Sequence, residues 1–75
     1  MMADSDGEEF PVWRTPEGEP VSCVEKIKVL NENLAELRAL AQDALEDAVL
    51  IGVDERQARE VLAGIIAGLV NPYRR

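Results

Sequence analysis

The sequence predicts an all-α protein: an antiparallel two-helix hairpin, preceded by an irregular N-terminal arm. Three observations carry this reading. Between Ser22 and Gly52 there is neither proline nor glycine. Within that stretch Ile27, Leu30, Leu34, Leu37, Ala41, Ala44, Ala48 and Ile51 recur at alternating steps of three and four, the heptad form of a helix that packs along another helix. A second, shorter apolar stretch follows after Gly52, Val53 and Asp54, and so short a link turns a chain back on itself.

The first helix is expected over about residues 23–51. Ser22 is a good N-cap, and Glu25 three residues on completes a capping box. Gly52 suits the left-handed residue that ends a helix. Asp54 is the natural N-cap of the second helix, with Gln57 at its third position. That helix is expected over about residues 55–70, where Asn71-Pro72 stops it. Helices of these lengths measure roughly 40–45 Å and 24 Å. The shorter one therefore covers only the distal, alanine-bearing half of the longer one. From Val61 to Val70 no residue is polar. A helix apolar on all sides is buried on more than one, which a lone hairpin cannot provide. The hairpin is accordingly expected to pair into a four-helix bundle, as a homodimer or on a protein partner. Gly64 and Gly68 stand four apart and are expected to allow close packing there.

The arm, residues 1–20, is acidic and contains proline; it is expected to be disordered or loosely docked, leaving residues 21–75 as the hairpin. It holds six carboxylates against Arg14, −5 of the chain's net −7. Three prolines between Phe10 and Pro20 forbid a regular helix there. The same segment contains the chain's one Phe and one Trp, making Phe10, Val12 and Trp13 a short apolar strip. Two roles are open to it. It can fold back over the hairpin, or it can dock on a partner as a linear motif.

Composition excludes several function classes. There is no histidine, so no Ser-His or Cys-His catalytic pair can form, and the chain is not expected to be an enzyme. No cofactor is expected. Cys23 is the single cysteine, so no disulfide forms within a chain and no zinc-type metal site is expected. An acidic chain repels phosphate backbones, so direct nucleic-acid binding is not expected. The longest apolar run has about half the length of a membrane-spanning helix, and the first residues lack the pattern of a secretory leader. A cytoplasmic protein is expected. The carboxylates of the first helix, Asp43, Glu46 and Asp47 among them, read as a solvated face.

These features point to a small non-catalytic protein–protein interaction module, an accessory subunit or regulator. Its candidate partner-binding residues are Phe10, Trp13, Ile27, Leu30, Leu34, Leu37, Ile65 and Leu69. Two alternatives remain. No basic residue lies between Arg38 and Arg56, and Asp43, Glu46, Asp47, Asp54 and Glu55 gather around the turn, as in an acidic regulator that blocks the basic face of a nucleic-acid-binding protein. Cys23, expected at the first helical position where the helix dipole favours a thiolate, is a candidate reactive thiol for a sensor or metal-binding dimer.

Overall fold

The computed structural model describes residues 10–73; the acidic segment 1–9, part of the arm discussed above, and Arg74–Arg75 lie outside the described residues. The described chain is mostly helical, with α1 over Val24–Ile51 and α2 over Glu55–Ala67, and no strand among the described residues beyond one isolated bridge. It divides into two compact units, residues 1–39 and residues 40–75, with the division falling inside α1.

In the first unit, the arm closes into a small clip before the helix begins. Thr15-Pro16-Glu17-Gly18 makes a turn in which the Gly18 N–H donates to Thr15 O at 2.9 Å. Proline second and glycine fourth is a turn signature, and Gly18, at φ +90°, takes a left-handed conformation that other residues resist. Two further bonds zip the clip: Thr15 N–H to Glu19 O and Val21 N–H to Trp13 O, both 2.8 Å. Between them Arg14 and Pro20 face each other in the position that exchanges no hydrogen bonds, so the missing proline N–H costs nothing. The Arg14 guanidinium donates back to Gly18 O at 2.9 Å. The segment from Trp13 to Val21 is thus a bonded loop rather than an irregular strand of chain.

Two residues connect the clip to α1. The Ile27 N–H donates to Cys23 O at 3.0 Å, the first turn of the helix. Cys23 is therefore the N-cap residue, one position earlier than the first helical residue it was expected to be. The expected Ser22–Glu25 box is not among the hydrogen bonds of the described residues; the clip holds Val21, and Ser22 is spent on the connection.

The second unit contains the end of α1, the turn and α2. Gly52, at φ +113°, ends α1. Its N–H reaches Val49 O at 3.1 Å and the Val53 N–H reaches Ala48 O at 2.9 Å, the paired bonds of a Schellman stop. Asp54 caps α2 as its residue type demands, Oδ2 accepting from the Gln57 N–H at 2.9 Å. Ala44, Ala48, Val53, Ala58 and Leu62 line one hollow between the two helical segments. Ala58 is the one buried residue among those described.

α2 ends three residues before the expected position. Gly68 receives it with φ −88° and ψ 0°, its N–H shared between Gly64 O and Ile65 O, and Leu69 bonds in the tighter pattern to Ile66 O. A glycine inside a helix weakens it by about 1 kcal/mol relative to alanine, and Gly64 stands in the last turn with Gly68 at the C-cap. Nor does the expected close packing at Gly64 occur among the described residues: a Cβ there would meet nothing within 4 Å. Beyond, the Tyr73 N–H donates to Asn71 Oδ1 at 2.8 Å, an Asx turn that turns the chain away through Pro72.

These two glycines therefore respond oppositely to alanine. Gly52→Ala places a side chain at positive φ and is expected to lower unfolding free energy by about 1–2 kcal/mol. Gly64→Ala sits in open helical space and is expected to raise helix content and add about 0.5–1 kcal/mol. Circular dichroism during urea unfolding measures both, and the same sign for the two would contradict the turn geometry.

Candidate interaction surface

An apolar side chain on a helix needs a neighbour, and the two units supply neighbours differently. In the first unit the clip is the only described segment besides α1. Trp13 is half-buried, and its indole Nε1–H donates to Asn31 Oδ1 at 2.8 Å. A partly buried indole requires such an acceptor. Asn31 lies four residues from Ile27 and three from Leu34, so all share one side of α1. Ile27, Leu30, Leu34 and Ala35 are half-buried with it, and so are Thr15 and Val21 of the clip. Of the expected strip, then, Trp13 engages the helix in cis. Phe10 and Val12 stay exposed, Val12 at 64%. Leu37, at the next step of the heptad, is exposed as well.

In the second unit the shielded stripe is narrow. Ala41, Leu45, Ala48 and Leu62 are half-buried, and Ala48 and Leu62 line the same hollow as Ala58. Ile65 follows Ala58 by seven residues and so lies on the same face of α2, yet it is 58% exposed. Val61, Ile66 and Leu69 flank it, and Leu69 is 70% exposed. On the α1 side, Leu50 and Ile51 stand more than four-fifths exposed. The polar side of α2 carries an exposed Glu55–Arg59 ion pair at 2.9 Å, which solvates that face.

The structure thus splits the expected partner-binding residues into two groups. Trp13, Ile27, Leu30 and Leu34 gather in the first unit and are partly covered there. Ile65 and Leu69, with Phe10 and Leu37, are uncovered. Asn31, Val61 and Ile66 belong with these groups and were not singled out from the sequence. Asn31 could have been found by asking which polar side chain beside the seam would accept from the one indole N–H. Val61 and Ile66 were visible in the apolar run but not sorted by face.

Cys23 is free and exposed at the head of α1. No group of three or more Cys, Asp or Glu among the described residues is placed to hold a metal ion. No helix among the described residues is long and apolar enough to cross a membrane. No family model matches the chain, and the searches of curated proteins and of solved structures gave no match either.

The Trp13 contact has a spectroscopic consequence. As the single tryptophan, Trp13 is expected to emit at shorter wavelength, and to be quenched less by acrylamide, in the folded chain than in guanidinium. Trp13→Ala is expected to remove about 2 kcal/mol of stability, roughly half the cost of truncating a fully buried tryptophan. A solvent-like emission in the native state would show that the clip does not hold.

Proposed function

We propose that the chain is a small non-catalytic protein–protein interaction module whose apolar helix faces are completed by a second copy, the two hairpins forming a four-helix arrangement. One observation carries this reading. The face of α2 that begins at Ala58 continues through Val61, Ile65 and Ile66, with Leu69 just past the helix end, and all four are exposed. Fully burying one such side chain contributes about 1.5–3 kcal/mol, so leaving the group in water is unfavourable enough to drive association. Chains this small bury a limited share of their surface and commonly gain stability from an added layer. The unpaired Cys23 thiol fits a reducing compartment, and we place the protein in the cytoplasm.

A second reading rests on charge. Asp43, Glu46, Asp47 and Glu55 are all exposed, in a stretch without a basic residue. Such a surface suits a regulator that covers the basic face of a nucleic-acid-binding protein. Binding of that kind weakens steeply with salt, whereas apolar association does not, so a salt titration separates the two.

Sedimentation equilibrium at micromolar concentration tests the first reading. The wild-type chain is expected to associate, and Ile65→Asp to weaken association at least tenfold with little loss of helix, because Ile65 is already largely exposed within the chain. A cooperatively folded monomer at all concentrations would remove the self-association reading; an unchanged mass in Ile65→Asp would remove α2 from the contact surface.

A further inference from the structure

The clip and the heptad face of α1 are separate features of the sequence that the fold brings together. Three backbone hydrogen bonds close the clip on itself, so it can leave the helix as one piece. Among the described residues a single hydrogen bond ties it down, from the Trp13 indole to Asn31 Oδ1. The half-buried residues beside that bond, Ile27, Leu30 and Leu34, are the first three positions of the a/d repeat. A helix carrying such a repeat is built to pair with another of its kind.

The geometry points to an autoinhibitory strap: the clip occupies the α1 seam in cis, and a second copy of the chain competes with it for Ile27, Leu30 and Leu34. The inference rests on the self-association reading above, but it names a different surface, so each can fail alone. A chain whose seam is covered associates only through its open fraction. Two-fold pairing needs both seams open, so the penalty enters twice. Removing one hydrogen bond of ordinary strength shifts each strap about fivefold towards open, and therefore raises the association constant through this seam about 25-fold.

The experiment uses the full chain with Asn31→Ala, which removes the acceptor and leaves every a and d residue in place. Acrylamide quenching of Trp13 reports the strap, and sedimentation equilibrium reports association. The expected result is easier quenching together with tighter association by about the factor above, and loss of that gain when Leu34→Asp is added. Trp13→Phe keeps a ring but removes the donor and the only tryptophan; it is expected to tighten association in the same way, is read by sedimentation equilibrium alone, and serves if Asn31→Ala folds poorly. Easier quenching without tighter association would overturn the strap as a competitor. Unchanged quenching in Asn31→Ala would overturn its latch. A gain that survives Leu34→Asp would place the contact elsewhere and leave the α2 reading standing.

Discussion

The structure is governed by a shortage of cover. α2 has 13 residues, and laid beside one neighbour it shields one stripe, centred on Ala58. Every other apolar residue on it is left half-buried or worse. Small side chains make this stripe possible and also limit it. Ala44, Ala48 and Ala58 let two backbones approach, but they contribute little apolar area once they have met. The larger residues, Ile65, Ile66 and Leu69, lie where the hairpin has nothing to set against them. The hairpin thus places its small residues inside and its large ones outside.

Much of this was legible in the sequence because the signals are local. The seam from Ile27 to Ile51 specified a helix, Gly52 specified its end, and Asp54 with Gln57 specified the next start. Each depends on residues within one turn of each other, and each appears where expected. What was not legible depends on competition between signals. Ser22 is a good cap by type, yet the clip ends at Val21 and leaves Ser22 in the connection, so the Cys23 carbonyl opens the helix instead. Asn71-Pro72 is a firm stop, but Gly68 halts α2 first. The three prolines of the arm were read as a bar to helix, which they are. The same residues, taken with Gly18, also spell a turn, and that second meaning carries the structure of the arm.

The candidate surface was legible in kind and not in arrangement. Heptad spacing identified Ile27, Leu30 and Leu34 as residues in need of a neighbour. The sequence left open whether Trp13 would fold back beside them or dock on a partner, because the Trp13–Asn31 contact joins segments separated by a turn and a helix cap. The link between them is the Asn31 amide, a polar group that a hydrophobic pattern passes over.

That link also bears on how the chain folds. The Trp13–Asn31 hydrogen bond spans 18 residues, the greatest separation of any side-chain hydrogen bond among the described residues. The clip, the Schellman stop and the Asp54 cap all close within eight residues. Contacts this near in sequence require little loop closure before they form, and chains dominated by them fold on microsecond to millisecond timescales. Diffusional encounter with a partner at micromolar concentration is slower, about 0.1–10 s for ordinary association rates. Speed therefore separates the two kinds of event: the hairpin and its Trp13–Asn31 contact are complete before any such encounter. Any molecule met later finds formed helices and not loose chain, which limits the opportunity for disordered aggregation.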